Sequence, residues 1–373
     1  MSGGANSNLI GLDRGELEGL AAEYGREPYR GRQLYHALYG RRALDLSRIT
    51  DLDREFRDRL ASNYHAAYPS IVREFVSRDG SVRNLLGLDD GQTVEAVYMP
   101  TEQGDRDRTT LCISSQVGCA VDCKFCFTGL LGLRRNLTAG EIVGQVLALA
   151  AARSIPPKAR LSVVFMGQGE PLLNLGAVIK AVGLLASTDG CGVALRRITI
   201  STAGIVPRIH DLAREAVRPN LAISLNASHE DQRTTLMPIN RKYPLRDLID
   251  ACRAYPLRPR ERLTFEYVML DGINDSDADA RRVAVLLHGM TASVNLIPYN
   301  GGSALAYSAS PLARILAFQK ILLERRVPAF IRISRGQDIM AACGQLSLVG
   351  SNPTSDRTLP ASESGVPAPP VHA

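Results

Sequence analysis

Three cysteines, Cys119, Cys123 and Cys126, fall within eight residues in the stretch "GCAVDCKFCFT" of a chain of 373 residues that has seven cysteines. Clustered thiols of this kind are metal ligands or reactive groups. Asp122, Lys124 and the surrounding glycines make the loop polar, which argues against three unrelated core side chains. Three is nonetheless one short. A structural zinc site is closed by four Cys or His ligands, and a fully ligated four-iron cluster also takes four.

Zinc would need a fourth ligand. His65 and His210 are the nearest histidines and both are distant; Cys112, seven residues before Cys119, falls on a predicted strand. A [4Fe-4S] cluster resolves the count differently. Three thiolates hold three irons, and the fourth iron stays open for a cofactor such as S-adenosylmethionine, which binds through its amino and carboxylate groups and is split by an electron from the cluster. Both readings stay open on spacing alone.

Other polar residues fall where strands end. "SVVFMG" runs into Gln168-Gly169-Glu170, "RRITI" into Ser201-Thr202, "LAI" into Ser224-Leu225-Asn226 and "SVNLIPY" into Asn300. In parallel α/β barrels chemistry collects at the C-terminal ends of the strands. The cysteine loop itself follows "TLCISSQV".

These residues need a scaffold. From Thr109 onward, apolar β-rich runs ("TLCISSQV", "LSVVFMG", "RRITIST", "LAISLNA", "LTFEYVML", "SVNLIPYN", "AFIRIS") alternate with amphipathic helical segments. Such alternation predicts a parallel sheet wrapped as an open or closed barrel. Before it, residues 70–100 contain two Asp-Gly turns, Asp79-Gly80 and Asp90-Gly91, which predict an antiparallel meander. Residues from Leu9 to about Asn63 show helical spacing, with Gly25 and Gly40 as stops. After Gly350 the composition turns to Pro, Ser and Ala, and a disordered tail is expected. The expected units are 1–65, a helical RNA-contacting module; 66–108, a β-extension; 109–348, the barrel; and 349–373, the tail.

The net charge is +6, from 44 Lys and Arg against 38 Asp and Glu. That is compatible with a phosphate-bearing partner. Arg26, Arg30, Arg32, Arg41, Arg42, Arg54, Arg57 and Arg59 cluster in the helical module. Arg134, Arg135, Arg196, Arg197, Arg332 and Arg335 fall near predicted rim loops. No apolar run reaches membrane-spanning length, and the beginning carries no secretion signal, so a cytoplasmic protein without membrane association is expected.

Eight motifs, in order, carry a resemblance: "TLCISSQVGCAVDCKFCFTG", "GLRRNLTAGEIVGQV", "MGQGEPLLN", "RRITISTAGIVP", "LMPINRKYPL", "FEYVMLDGIND", "VNLIPYN" and "RGQDIMAACGQL". Over Arg30 to Leu346 the chain resembles the radical S-adenosylmethionine adenine methyltransferases of RNA, the RlmN/Cfr family. The resemblance implies an α/β fold: a partial (βα)6-type radical SAM barrel with a helical module, a meander and a tail. It implies methylation of adenine C2 in 23S rRNA and in tRNA, two S-adenosylmethionine molecules per turnover, a flavodoxin-type electron donor and a monomer. By the same resemblance Cys343 carries the methyl group, Cys112 resolves the covalent intermediate as a disulfide, and Glu95 of "VEAVYMP" is a base. Gly169, Glu170, Ser201, Ser224, Leu225, Asn226 and Asn300 contact the cofactor, and Cys119, Cys123 and Cys126 hold the cluster. Asn226 departs from the family's usual His: it keeps a donor and an acceptor but cannot become cationic. Cys191 and Cys252 match nothing and are expected to be structural. Two rivals stand beside this reading. One is a C8-adenine methyltransferase of the same family, from which "RGQDI" and "GEPLLN" point away. The other is a non-catalytic, zinc-stabilised RNA-binding protein.

Overall fold

The computed structural model describes residues 7–100, 109–301, 305–346 and 356–357. The chain begins with β1 (Ser7–Asn8) and three helices, α1 (Arg14–Glu23), α2 (Pro28–Tyr35) and α3 (Arg54–Asn63). Asp13 and Asp53 cap α1 and α3 by accepting backbone N–H groups. Gly25, at φ +68°, turns the chain out of α1. A short β2 (Tyr64–His65) returns beside β1 in parallel.

The meander is β3 (Ser70–Val76), β4 (Val82–Gly87) and β5 (Thr93–Pro100), joined at the two Asp-Gly turns. β6 (Thr109–Cys112) follows, then the small antiparallel ribbon of β7 (Gln116–Gly118) and β8 (Leu133–Asn136) with the short helix α4 (Phe127–Leu130) between them. The repeating part is α5 (Ala139–Ala152), β9 (Leu161–Phe165), α6 (Leu175–Ala186), β10 (Ile198–Thr202), α7 (Val206–Arg214), β11 (Asn220–Ser224), α8 (Glu230–Leu236), α9 (Leu245–Arg253), β12 (Leu263–Met269), α10 (Asp277–Leu286), β13 (Ala292–Pro298), α11 (Leu312–Glu324) and β14 (Ala329–Ile331).

All seven barrel strands read from the sequence are present and pair in parallel, in the order β14-β13-β12-β11-β10-β9-β6. The meander is not a separate layer. β5 pairs antiparallel with β6, so barrel and meander share one sheet of eleven strands. One cross-strand row runs Phe75, Arg83, Val97, Cys112, Val164 and Thr199, which places Cys112 on a face shared by both parts.

One apolar core joins the helical module to the barrel, with Leu17, Leu38 and Phe56 fully buried alongside Ile142 and Val178. Contact is closest where Gly11 meets Gly140: a β-carbon on Gly140 would lie 2.1 Å from the Ile10 carbonyl oxygen. Of the tail, only the backbone of β15 (Asp356–Arg357), paired antiparallel with β3, belongs to the described residues; the rest of the tail reading lies outside them. Among the described residues no helix is long and apolar enough to cross a membrane.

Candidate active site

The cysteine loop is shaped by backbone contacts, most within the loop and its ribbon and one to the distant Leu236. Gly118 sits at φ +77°, and a β-carbon there would lie 1.8 Å from the Gly132 carbonyl oxygen, so only glycine fits. Cys119 N–H donates to that same oxygen at 3.0 Å, Cys126 N–H to Cys123 O at 3.1 Å, and Lys124 N–H to Leu236 O at 2.9 Å. The three cysteines line one chamber of about 160 Å³ together with strand-end residues. Burial pushes the Cys119 thiol up to about 12 and raises Cys123 well above the ordinary thiol range. Such thiols ionise when a metal takes up the charge.

Among the described residues no three His, Cys, Asp or Glu side chains converge as they would on a single ion. Three soft donors spread around one chamber fit a multi-iron cluster. Arg233, fully buried behind the loop, donates to Ala203 O (2.6 Å), Ser224 O (3.2 Å), Leu225 O (3.3 Å) and Asn240 Oδ1 (3.0 Å). It ties the ends of β10 and β11 together beneath the thiols.

Gly169, Glu170, Ser201, Ser224 and Asn226 line this chamber. Gly169 is at φ +101° and packs against Gln116, whose Oε1 accepts from Glu170 N–H at 2.8 Å. The Glu170 carboxylate accepts from Ala203 N–H (2.6 Å) and Leu172 N–H (3.0 Å), while burial pushes its pKa up to about 7. Asn226 stands at φ +55°, a left-handed position that Asn tolerates better than most residues. Its Oδ1 accepts from Val268 N–H (2.9 Å) and its amide donates to Met237 Sδ (3.4 Å), so the side chain is spent on joining strand ends.

Two expected cofactor contacts lie off the chamber's lining. Leu225 is fully buried in the core. Asn300 donates to Ser334 Oγ (2.9 Å) and accepts from Gln337 Nε2 (2.8 Å), which fastens the segment leading to Cys343.

A second chamber, of about 450 Å³, holds Cys112 and Cys343 in its wall. Hydroxyl groups of Thr110, Ser162, Thr199 and Thr264 line it, from β6, β9, β10 and β12. Met166, Glu266, Ile297 and Cys343 border both chambers. Cys343 is exposed by area, but what it faces is the two chambers, and burial pushes its thiol up to about 11. The Cys112 thiol rises to about 12, first from burial and then from the neighbouring Cys343.

The Cys343 loop is pinned from two sides. Ser77 Oγ and Arg78 N–H donate to Asp338 (2.6 and 3.1 Å), and Gly336 N–H donates to Asp79 Oδ2 (2.9 Å), all at the first Asp-Gly turn. Phe127 N–H donates to Gly344 O (2.8 Å) and Thr128 Oγ1 to Leu346 O (2.7 Å), next to the cysteine loop. All seven cysteines are free thiols, and Cys191 and Cys252 are buried in the core. Any Cys112–Cys343 disulfide therefore belongs to another state of the protein.

Glu95 lines neither chamber. It is 1% exposed and paired with the equally buried Arg83 at 2.7 Å, whose guanidinium stacks 4.1 Å from the Phe75 ring. The carboxyl that does border both chambers is Glu266, which accepts from Asn295 Nδ2 at 2.8 Å and whose pKa burial raises. The sequence reading missed Glu266, Arg83 and Arg233. A charged residue inside an apolar strand, as in "LTFEYVML", is the signal that could have found the first.

Arg196 and Arg197 precede β10 and so sit at the opposite end of that strand from Ser201, contrary to the rim placement expected. Arg135 is held by Asp90 and Glu141 (both 2.7 Å). Arg332 and Arg335 line the second chamber.

Residues 113–283 match the Radical SAM superfamily, and residues 7–65 match the ribosomal RNA large subunit methyltransferase N-terminal domain. The chain is 51% identical over 335 residues to a Koribacter versatilis protein named "Probable dual-specificity RNA methyltransferase RlmN", covering 86% of this chain and 96% of that one. It is 46% identical over 332 residues to the dual-specificity RNA methyltransferase RlmN of Syntrophobacter fumaroxidans, covering 89% and 95%. The crystal structure of a radical SAM methyltransferase from Sphaerobacter thermophilus superposes with a TM-score of 0.84 at 44% identity, over 91% of this chain and 99% of that one. The zinc-stabilised, non-catalytic reading gives way to this likeness. With its cysteine loop, its two chambers and these relatives, the chain belongs to the RlmN family of radical SAM methyltransferases, enzymes whose superfamily chemistry runs on a [4Fe-4S] cluster and S-adenosylmethionine.

Proposed function

We propose that this enzyme methylates carbon C2 of an adenine in RNA, in 23S rRNA and in tRNA, by way of a methyl group carried on Cys343. The observation that carries the reading is the position of Cys343, which borders both the cysteine-loop chamber and the chamber containing Cys112. The relatives' names supply RNA as the substrate class.

Adenine C2 is not nucleophilic, so direct displacement on a sulfonium methyl group fails there and a carrier is needed. Cys119, Cys123 and Cys126 hold the cluster. Gly169, Glu170, Ser201, Ser224 and Asn226 wall the space for S-adenosylmethionine, Leu225 adds its backbone, and Asn300 braces the loop beyond. When bound, cluster and cofactor supply a methyl cation equivalent and, from a second cofactor molecule, a hydrogen-abstracting radical.

The chain's own residues do the rest. Cys343 Sγ loses its proton and takes the methyl group. That S-methyl group gives up one hydrogen atom, and its carbon bonds to C2. The adduct returns one electron and gives up the C2 proton; the base that the family resemblance assigns to that proton is Glu95, which here lies off both chambers, paired with Arg83. Cys112 Sγ then attacks Cys343 Sγ. The sulfur–carbon bond breaks with its electron pair going to carbon, which takes a proton to become the methyl group, and a Cys112–Cys343 disulfide remains for a thiol reductant to reopen. Thiols suit both tasks because thiolates are strong nucleophiles near neutral pH. The reading includes a flavodoxin-type electron donor, a monomeric enzyme, a cytoplasmic setting and a second RNA grip on the N-terminal helical module.

Nucleoside mass spectrometry of rRNA and tRNA from cells with and without the gene tests it. The expected result is 2-methyladenosine that disappears with the gene; 8-methyladenosine in its place would establish the rival regiochemistry.

A further inference from the structure

Ile333 is the most exposed large hydrophobic residue among those described, at 90%. It stands at the mouth of the second chamber, between Arg332 and Arg335. Its surroundings are not slack. Arg332 N–H donates to Leu296 O at 2.8 Å on one side, and Gly336 N–H is held by Asp79 at 2.9 Å on the other. Ser334 accepts from Asn300, and the Arg335 guanidinium donates to the Pro100 carbonyl. An aliphatic side chain fixed in water forgoes free energy that covering it would recover.

The neighbours indicate what covers it. Arg332, whose charge bears on the nearby Glu266 and Cys343, is held by no side-chain hydrogen bond or close ion pair among the described residues, and the chain's net charge is +6. An anionic partner with apolar faces inside it is a nucleic acid strand. An adenine whose C2 is to meet Cys343 has to leave its stack, which exposes the faces of the bases on either side. Aliphatic side chains are a residue type that fills such gaps.

We propose that Ile333 is a wedge that enters the RNA stack in place of the extruded adenosine, with Arg332 and Arg335 on the flanking phosphates. This rests on the RNA substrate proposed above. The wedge keeps the vacated step from closing, so the base stays in the chamber long enough to react.

The test uses the full chain and an RNA hairpin with 2-aminopurine as the 3′ neighbour of the target adenine, read by fluorescence on binding. The wild type should raise the signal as the neighbour unstacks. Ile333→Ala should lower the apparent affinity for the stacked hairpin by roughly tenfold, because part of the unstacking cost then goes uncompensated. The loss should shrink on an RNA with an abasic site beside the target. Ile333→Leu should behave as wild type, as should Val285→Ala, an exposed apolar residue outside both chambers.

An Ile333→Ala signal and affinity equal to wild type would overturn the wedge, as would an equal loss on stacked and abasic RNAs. If Ile333→Ala instead changed only the oligomeric state in light scattering, the residue would be a contact between copies and the wedge would again be wrong. Failure of the wild type to bind any of these RNAs would overturn the RNA reading itself, a result distinct from the others.

Discussion

The two chambers share a wall but are built differently. The cysteine-loop chamber is small, about 160 Å³. Its three thiols lie within eight residues, and a two-strand ribbon with one obligatory glycine shapes their loop. The thiol chamber is larger, about 450 Å³, and draws one or two residues from each of β5, β6, β9, β10, β12 and β13 together with the C-terminal loop. The thiols of the first chamber are local, although strand ends along the chain complete its wall; the second chamber has no such local cluster and is assembled from single strands and a distant loop. Cys343 is where the two meet.

The sharpest break between them comes from Cys343→Ala. Methylated nucleoside should vanish from mass spectra while iron and sulfide, measured on anaerobically purified brown protein, stay at wild-type content. Cys119→Ala should lose both. Product formation by Cys343→Ala would dissolve the carrier role and the link between the chambers.

Cys112→Ala should act only in the second chamber. The methyl carbon reaches C2, but no thiol opens the Cys343 bond, so protein crosslinked to RNA should accumulate on denaturing gels. Free methylated RNA at the wild-type rate would count against the resolving role.

Next in size is stability. Arg83→Met removes one member of the buried Arg83–Glu95 ion pair and should cost about 3–5 kcal/mol in denaturant unfolding, as breaking a buried pair does. Glu266→Gln should do the opposite at neutral pH. Burial raises the Glu266 pKa above 4.5, so the unfolded chain ionises it first and folding is penalised as pH rises past 4.5. The Gln variant escapes that penalty, so its relative gain should be present at pH 7 and absent near pH 4.

The smallest effect separates the basic patches. Arg26 is held by Asp53 (3.0 Å) and Glu55 (2.9 Å), Arg32 by Glu18 (3.3 Å), and Arg41 by Asp51. Arg26→Ala should barely move the salt dependence of RNA binding, whereas Arg332→Ala should lower the slope by about one. Equal slopes would put the main phosphate grip elsewhere, the helical module included.

How much of this was legible depended on distance along the chain. The two Asp-Gly turns, the seven barrel strands and the cysteine loop are written in neighbouring residues, and all are present. The roles of Cys343, Cys112 and Glu95 came only from motif resemblance, because a cysteine after two alanines and another within an apolar strand look like ordinary core. Arg196 and Arg197 were misplaced because strand polarity, not proximity to a strand, decides which end a residue occupies. Leu225 and Asn300 fall on strand ends as expected, yet one faces the core and the other braces a loop.

By itself the sequence determined what is local: which segments are strands or helices, where they turn, and that three thiols share one loop. Side-chain period, turn chemistry and glycine's freedom at positive φ act over a few residues, so they can be read in order. Tertiary structure alone decided that the meander joins the barrel sheet through β5 and β6, that Glu266 faces both chambers while Glu95 is locked to Arg83, and that Thr128 reaches Leu346 across 218 residues. Those outcomes rest on strand register and on which surfaces bury each other: no short window holds both Thr128 and Leu346, and even Arg83 and Glu95, 12 residues apart, meet only because β4 and β5 pair.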